Sequence, residues 1–322
     1  VAPPISDATA TRARDLAEAM RARAREVTYQ GRTVLLNPLT ITKALTFTPR
    51  GNEIIVGLRP KVVRAALSTA LGIEEREPKN ARWNLRGERA VLVAGVPGNH
   101  LDTEALASAI RSKPSITTLA ATVLTEEPER TTEKARALKI RERISQFTTP
   151  YDCCQNRVVN IGRAATILDG TILAPGERFS LNDALGERTA ARGFVEAPAI
   201  EGGEIKPTVG GGVSQVATTL FNAAYFGGLE LIAHTPHSFY FTRYPPGREA
   251  TVSWRTPDLV FRNNWDASVL ISVVTSRNAL TVRLYSSKLG RRVEATTGER
   301  SNIVKTKKIE RLKPDLEPGT KK

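Results

Sequence analysis

A run of three glycines directly before an apolar segment constrains this chain more than any other sequence feature. Gly210–Gly212 precedes Val213–Phe226, in which apolar residues such as Val216 and Leu220 recur at helical spacing, and Gly227 follows. Glycine adopts positive φ angles without steric cost and lets the backbone approach another group closely. The pattern predicts a tight turn that leads into a helix over Val213–Phe226, which the following glycine ends.

The first turn of this helix is a candidate site. Ser214 and Gln215 follow the glycines, and backbone N–H groups at a helix start point at an anion or a developing oxyanion. The hydroxyl of Ser214 therefore suits a nucleophile. It also suits a carboxylate-binding site lined by Gly210, Gly211, Gly212 and Gln215. The other interpretation is that Ser214 is an N-cap and the glycines only make a turn.

Two histidines stand downstream of the helix. His234 and His237 are three residues apart, but zinc is disfavoured because no third ligand occurs at a motif spacing. His237 could act as a general base for Ser214 if a carboxylate oriented its ring, and Glu249 and Asp258 are the candidates. The alternative is that His237 is a hydrogen-bonded structural residue.

Two arginines close to His237 in the sequence are candidate binding residues. Arg243 or Arg248 could hold the carboxylate of a substrate in a bidentate pair. They could equally pair with Glu249 or Asp258 inside the folded chain. The residue types alone leave both interpretations open.

The remaining polar residues of this region are interpreted as structural. Asn160, Asn182 and Asn263 are expected in turns or caps. Cys153 and Cys154 are the only cysteines, which excludes a disulfide framework and leaves a strained vicinal bridge as the one internal possibility. We expect both cysteines to be buried small apolar residues with no redox role.

The order of predicted elements favours an α+β fold with two domains, in which short helices pack on small, largely antiparallel sheets. Residues 1–125 alternate between short helices and strands. Residues 126–146 are highly charged and predict a helical linker, or alternatively a charged outer face of one domain. Residues 147–285, rich in glycine, proline and asparagine, form the second domain. Residues 286–322 predict a basic tail or a linker to a further module.

The charge of the chain bears on its location more than on its chemistry. The net charge of +14 is divided into +8 over residues 1–150, −2 over 151–250 and +8 over 251–322. Basic flanks attract nucleic acid, anionic lipid or acidic wall polymers, or they form a solvated surface. The sequence has no nucleic-acid recognition motif, so we expect no nucleic acid as a partner. No apolar run approaches the roughly 20 residues that cross a bilayer.

Several short motifs follow one another across residues 147–285. They are Arg157-Val158-Val159-Asn160-Ile161, Pro175-Gly176-Glu177-Arg178-Phe179-Ser180, Gly210-Gly211-Gly212-Val213-Ser214-Gln215 with Thr218-Thr219, His237-Ser238, and Gly247-Arg248-Glu249-Ala250-Thr251-Val252. This ordered set resembles the VanW domain, which is named after an accessory protein of vancomycin-resistance clusters. Residues 1–125 resemble the peptidoglycan-binding domain that often precedes VanW domains, in the order of their elements and in the stretch 98–102.

The resemblance implies a bacterial, extracytoplasmic protein of the cell envelope, secreted or held by an anchor ahead of Val1. Its implied partner is peptidoglycan or an anionic wall polymer, with membrane contact only through such an anchor, and we expect no cofactor and no metal. The activity of the family is not settled. Many members carry cysteine at the position of Ser214, in an order of cysteine, histidine and acid that is similar to transglutaminase-like and papain-like enzymes. Serine at this position departs from thiol chemistry. Because a hydroxyl has a far higher pKa than a thiol, Ser214 would need a stronger base.

Two hypotheses follow. The first is a wall-binding module in which the loop over 210–215 and nearby arginines hold a peptide carboxylate. The second is an enzyme of acyl transfer or hydrolysis on peptidoglycan stem peptides, with Ser214 as nucleophile, His237 as base and Asp258 or Glu249 as the orienting acid. A hydrogen bond between Ser214 Oγ and a nitrogen of His237 in an open cleft would favour the enzyme.

Overall fold

A computed structural model describes residues 5–201, 204–238, 241–299, 304 and 317 of the chain. In these ranges the α-helices are α1 (Asp7–Arg21), α2 (Pro38–Ala44), α3 (Pro60–Leu71), α4 (Thr103–Ser112), α5 (Thr132–Ala137), α6 (Asn156–Leu168), α7 (Leu181–Leu185) and α8 (Val213–Phe226), with a 3-10 turn at Ala190–Arg192.

Eighteen strands connect these helices in the same ranges. They are β1 (Arg25–Tyr29), β2 (Arg32–Leu36), β3 (Leu45–Arg50), β4 (Glu53–Leu58), β5 (Arg82–Arg86), β6 (Arg89–Val93), β7 (Gly98–Leu101), β8 (Thr118–Ala120), β9 (Val123–Glu126), β10 (Glu142–Pro150), β11 (Ile172–Leu173), β12 (Arg178–Ser180), β13 (Glu196–Glu201), β14 (Glu204–Val209), β15 (Glu230–Ala233), β16 (Val260–Arg262), β17 (Val269–Thr275) and β18 (Ala279–Ser286). The strands pair in small sheets that are antiparallel except for β1 with β8, which confirms the predicted α+β class.

The first core lies among α1 to α4 and the sheet β2-β1-β8. Its helices begin and end where local signals predict. Helix α3 has Pro60 at its first position and ends at Gly72, which has a φ of +75° and donates its N–H to the last turn. Helix α4 is capped by Asp102, whose carboxylate accepts from Ala105 N at 2.9 Å.

The second core surrounds α8, which is buried along almost its whole length. The helix packs against α6, β10 and β18, and its largest neighbouring sheet has the strand order β11-β17-β18-β10-β6-β5. A helix that is covered on all sides must satisfy its polar side chains inside the protein. The residues that meet this requirement define the site described below.

The hairpin β5–β6 comes from the N-terminal half of the sequence but extends this sheet. Arg89 pairs with Glu142 of β10, and Tyr285 of β18 donates its hydroxyl to the carbonyl of Gly87 at 3.0 Å. Ala90 is buried with Tyr285 in a small separate core. The division of the chain at residue 125 stays a prediction, and the hairpin shows that the two halves share one sheet.

Two predicted elements are wrong in extent. Residues 126–146 are not a charged helical linker, because they contain only the six-residue helix α5 and the start of β10. Pairing of β10 with β18 over 142–150 outweighs the local helical preference of the charged residues. Alternation of Ala and Leu with Arg and Glu predicts a first helix over Thr11–Val27. Helix α1 instead ends at Arg21, because Val27 lies in the strand between β2 and β8.

The last part of the chain is described only in part. Strand β18 ends at Ser286, and no further helix or strand occurs between 287 and 299. The rest of the predicted tail over 286–322 lies outside the described residues, apart from 304 and 317. Within the described ranges, no helix combines the length and the apolar character needed to span a bilayer.

Candidate functional site

The triple-glycine loop is shaped by close packing of the chain on itself. A Cβ on Gly211 would lie 2.6 Å from the carbonyl carbon of Ala197, and nearer still to its oxygen. Gly212 has a φ of +95°, and a Cβ there would lie 2.7 Å from Cβ of Arg157. The glycines are therefore required by the approach of β13 and α6 to the start of α8.

A buried asparagine of α6 holds this loop in place. Asn160 donates through Nδ2 to the carbonyls of Val195 and Gly211, both at 2.9 Å, and its Oδ1 accepts from Val195 N at 2.8 Å. Gly210 N also donates to Val195 O at 3.0 Å. Asn160 was expected in a turn or a cap. It instead joins two backbone segments in the interior, because every polar atom of its amide finds a partner there.

Three polar side chains on one face of α8 hydrogen-bond to the extended segment 248–252. The pairs are Ser214 with Val252, Thr218 with Ala250, and Asn222 with Arg248. Four residues of α-helix rise about 6 Å, and two residues of extended chain rise about 6.6 Å. The two repeats match, so a helix face forms a polar ladder with alternate residues of a strand-like segment.

Ser214 is the first rung of this ladder. Its hydroxyl accepts from Val252 N at 3.2 Å and lies 3.5 Å from Val252 O. The described hydrogen bonds include none between Ser214 and His237. Gly212, and not Ser214, occupies the N-cap position of α8, and it makes no side-chain cap. Neither the predicted triad contact nor the predicted cap is formed.

His237 and Glu249 form a buried pair. His237 Nδ1 lies 2.9 Å from Glu249 Oε2, and the two side chains are only 5% and 7% exposed. Thr251 N donates to Thr235 O at 2.7 Å, which sets residue 237 opposite residue 249 on neighbouring extended segments. The side chain of Tyr244 stacks on the imidazole at 5.6 Å between ring centroids.

The surroundings of His237 favour its neutral form. Burial lowers the pKa of His237, while the hydrogen bond and the negative charge of Glu249 act in the opposite direction, and Arg243 adds to the lowering. The neutral ring donates Nδ1–H to the carboxylate and keeps Nε2 as an acceptor. This is the tautomer that a general base needs, but the exposure of only 5% leaves little access for a substrate.

Asp258, the other candidate acid, is engaged elsewhere. Its carboxylate accepts from Ser180 Oγ at 2.6 Å and from Asn182 N at 2.9 Å, at the start of α7. Asn182 in turn donates to three carbonyls of the 253–257 loop. Of the two predicted acids, the structure brings only Glu249 to His237.

A cluster of two arginines and a tyrosine lies beside the start of α8. Arg157, in the first turn of α6, donates to Gln215 Oε1 at 2.7 Å and lies near the hydroxyl of Tyr244. The guanidinium of Arg243 lies over the rings of Tyr244 and Phe241, at 5.7 and 5.1 Å. We call Arg157, Tyr244 and Arg243 the arginine cluster.

The arginine cluster carries unbalanced positive charge. Burial lowers the pKa of Arg157, and the nearby charge of Arg243 lowers it further. Among the residues that the structure describes, no carboxylate lies within ion-pair distance of Arg157 or Arg243. The charge of Asp152 acts on Arg157 in the opposite direction, from beyond ion-pair distance. Two guanidinium groups beside one phenol have the chemistry to attract an anionic group.

Two other predicted binding residues, Gln215 and Arg248, make contacts outside the arginine cluster. Gln215 is buried, and its Nε2 donates to Thr149 Oγ1 and to Pro150 O, both at 2.9 Å, so it ties α8 to the end of β10. The guanidinium of Arg248 lies over Phe226 at 4.9 Å and over Phe147 at 6.0 Å, and neither ring belongs to the arginine cluster.

Sequence reasoning missed Arg157 and Tyr244. Arg157 opens the first of the recurring motifs and stands in the first turn of a helix, which was an available signal. Tyr244 directly follows Arg243 in the sequence, but its buried position depends on contacts with α6 that no local pattern reveals. Within the described residues, no group of three or more histidine, cysteine, aspartate or glutamate side chains is arranged to hold a metal ion.

Known proteins match both halves of the chain. The family described as "VanW like protein" matches residues 156–285, and the family described as "Putative peptidoglycan binding domain" matches residues 15–115. "Uncharacterized protein YoaR" of Bacillus subtilis (strain 168) is 37% identical over 147 residues, which are 45% of this chain and 48% of YoaR. The chain therefore spans about half the length of this relative.

Two solved structures show a weak overall likeness. "Structure of the Ldtfm-avibactam carbamoyl enzyme" is 13% identical, with a TM-score of 0.23 over 62% of this chain and 75% of that one. "Crystal structure of Enterococcus faecium L,D-transpeptidase C442S mutant" is 12% identical, with a TM-score of 0.21 over 61% and 74%. Likeness at this level carries no argument about the fold or the chemistry. The two family matches, in the predicted order, show that the chain carries a VanW-like domain behind a domain of the peptidoglycan-binding type, and they associate it with the cell wall.

Proposed function

We propose that this chain is an extracytoplasmic binding protein of the cell wall, and that its VanW-like domain holds a carboxylate of peptidoglycan at the arginine cluster. The observation that carries the proposal is the pair Arg157 and Arg243, which flank Tyr244 without a carboxylate partner among the described residues. Stem peptides of peptidoglycan end in carboxylates. A ligand of this class would supply the missing counter-charge.

The electrostatics support an anionic ligand. Each guanidinium presents a planar set of donors that matches the two oxygens of a carboxylate. Arg157 is partly removed from water, and the neighbouring Arg243 raises the cost of its charge. A bound carboxylate would offset this repulsion, and the interaction would be stronger at the half-buried Arg157 than at a fully solvated arginine.

The polar ladder supports binding over catalysis. The hydroxyl of Ser214 is used by the backbone of Val252, and the pair His237 and Glu249 is nearly closed to solvent. A nucleophile needs both a base within hydrogen-bond reach and an open path to the substrate. Ser214 has no hydrogen bond to a base in the described part of the chain, so we assign it a contribution to stability.

A second candidate function is acyl transfer or hydrolysis on stem peptides. One observation favours it: the 2.9 Å contact between His237 Nδ1 and Glu249 Oε2 has the geometry of a base and its orienting acid. In that case Ser214 must leave the ladder and reach Nε2 of His237 when a substrate binds.

Binding is tested with defined muropeptides whose terminal carboxylate is either free or amidated, using isothermal titration calorimetry. We expect the protein to prefer the free acid, and Arg157→Gln or Arg243→Gln to weaken its binding about tenfold, since a hydrogen bond to a charged group contributes about 1.5–3 kcal/mol. The matched control is Arg277→Gln, which removes one positive charge at an exposed turn. An equal loss of affinity in all three variants would mean that binding depends on the net charge of the protein and not on the arginine cluster.

The catalytic alternative is tested on the same muropeptides by mass spectrometry. Wild type and Ser214→Ala are each incubated with excess ligand. We expect unchanged ligand masses with both proteins and similar affinities. A new product formed by the wild type and lost in Ser214→Ala would contradict the binding proposal and favour acyl transfer.

A further inference from the structure

The two cysteines of the chain lie in an exposed turn between β10 and α6. Cys154 is exposed and Cys153 is half-buried, so the expectation that both are buried apolar residues is wrong. Their sulfur atoms are 2.7 Å apart. Neither thiol is packed into the core, and each is the nearest reactive partner of the other.

The backbone of the turn is set for this approach. Cys154 has a φ of +73°, a conformation that residues with a Cβ adopt rarely. The ends of the turn are fixed, because Tyr151 donates its hydroxyl to Ser276 O at 2.6 Å and Asn156 donates its side-chain amide to Glu196 O at 3.0 Å. Anchored ends keep the two side chains on the same side of the turn.

We propose that Cys153 and Cys154 form a reversible vicinal disulfide. One thiolate attacks a disulfide donor, such as glutathione disulfide, and releases one donor thiol. The second cysteine then loses its proton, attacks the mixed disulfide and releases the other donor thiol. In total the two cysteines lose two protons and two electrons, and the donor disulfide gains them and is reduced to two thiols.

The chemistry of adjacent thiols agrees with this sequence of steps. The hydrogen bond that Cys154 donates to Cys153 and the negative charge of Cys153 raise the pKa of Cys154, as expected where one thiolate disfavours the ionisation of its neighbour. Conversion of one sulfur into a mixed disulfide removes that charge. The second thiol can then ionise and close the ring.

The disulfide would act as a reversible redox switch and not as a permanent structural cross-link. Consecutive Cα atoms are about 3.8 Å apart across a trans peptide, whereas ordinary disulfides join Cα atoms about 4.4–6.8 Å apart. A ring between neighbours is therefore strained, and strained, exposed disulfides are the readily reduced ones. An extracytoplasmic setting supplies the oxidising conditions that the bridge needs.

The turn leads directly into the helix that carries the arginine cluster. Gln155 is the N-cap residue of α6, and Arg157 lies in its first turn. Closing an eight-membered ring at 153–154 would fix the backbone that positions this turn of helix. The capacity of the two thiols to form the disulfide is independent of the proposed function, whereas the oxidising setting and the effect on Arg157 rest on that function.

The experiment uses the full chain in buffers with increasing ratios of glutathione disulfide to glutathione. Samples are trapped with N-ethylmaleimide and analysed by intact-mass spectrometry. We expect the wild type to become two hydrogen atoms lighter, to lose both alkylation sites, and to regain them after dithiothreitol. Cys153→Ser and Cys154→Ser should each instead take up one glutathione.

Two results would overturn the proposal. One is a wild type that takes up two glutathiones or forms disulfide-linked dimers at every ratio. The other is a wild type that keeps both thiols in the most oxidising buffer while the single-cysteine variants react. Because no wall ligand is present, failure of the disulfide and failure of carboxylate binding at the arginine cluster are observed separately.

Discussion

The polar ladder of α8 and the arginine cluster beside its first turn differ in how far their polar groups are satisfied, although Oδ1 of Asn222 in the ladder is buried without a hydrogen-bond partner among the described residues. In the ladder, the hydroxyl of Thr218 both accepts from Ala250 N and donates to Ala250 O, each at 3.1 Å. In the cluster, Arg157 and Arg243 both lie beside Tyr244. In the described part of the chain, neither has a carboxylate within ion-pair distance. Buried polar groups that complete each other stabilise a fold, whereas uncompensated charge is available to a ligand.

The comparison changes the role of the most conspicuous motif. The Gly-Gly-Gly-Val-Ser-Gln run at 210–215 has the composition of a ligand-binding loop. Its glycines, however, are in contact with β13 and α6, and its serine and glutamine are hydrogen-bonded within the protein. The motif therefore joins the ladder to the cluster, and the proposed surface for recognition lies next to it.

The largest expected effect comes from Gly211→Ala, at the junction between ladder and cluster. The new Cβ would lie 2.6 Å from the backbone carbonyl carbon of Ala197, which cannot move as a side-chain end can. Urea denaturation should show a loss of about 3 kcal/mol or more in the free energy of unfolding. Gly162→Ala on α6 is the control, since no atom lies within 4 Å, and it should be neutral or stabilising by up to about 1 kcal/mol.

The second-largest effect is expected from a variant that removes the central hydrogen bonds of the ladder. Thr218→Val keeps the shape of the side chain but leaves Ala250 N–H buried without a partner, so we expect a loss of about 1–3 kcal/mol in the free energy of unfolding. Thr166→Val is the matched control, because its exposed hydroxyl bonds only to Gly162 O of its own helix, and it should change stability by less than about 0.5 kcal/mol. Equal effects of the two variants would mean that the ladder does not stabilise the fold.

Elements with local signals were predicted with nearly the observed ends. The helix at Pro60–Leu71 has a proline first and a glycine last, and the helix at Val213–Phe226 lies between glycines. The turn Arg86-Gly87-Glu88 also predicts a hairpin of Ala81–Leu85 with Arg89–Ala94, but not the place of that hairpin in the sheet. Its partner, β10, lies some fifty residues away in the sequence, and pairing over that separation leaves no local pattern.

The sequence predicted several of the residues of the candidate site but not how they are arranged. The spacing of Ser214, Thr218 and Asn222 puts them on one helix face, but nothing local shows that a strand-like segment of matching repeat lies against that face. The pairing of His237 with Glu249 was one of two alternatives, and only tertiary contacts select it.

The third effect tests the cluster alone. Tyr244→Phe keeps the ring that stacks on His237 and removes the hydroxyl that lies near Arg157. We expect affinity for a free-acid muropeptide to fall about 3- to 10-fold, which corresponds to a loss of about 0.7–1.4 kcal/mol. Tyr225→Phe is the control, since the hydroxyl of Tyr225 forms no hydrogen bond within the described part of the chain. A greater loss of affinity in the control would refute the role of the cluster.

The smallest effect is a pH dependence that separates His237 from the cluster. Because burial lowers the pKa of His237 in the folded protein, the unfolded chain binds a proton more readily, with an ordinary histidine pKa of about 6.5. The contribution of His237 to stability is therefore present above about pH 6.5 and is lost as the pH falls from there through the lower folded pKa.

The variant His237→Gln removes the titrating group and retains a side-chain amide that can donate to Glu249. Its free energy of unfolding should fall less steeply between pH 7 and pH 5 than that of the wild type, as measured by urea denaturation at each pH. Parallel plots of unfolding free energy against pH would mean that protonation of His237 does not oppose folding. The buried pair of His237 and Glu249 would then have to open to solvent more readily than its 5% and 7% exposure indicates. An opening of this kind would also give a substrate access to Nε2, so the same curves bear on the choice between binding and catalysis.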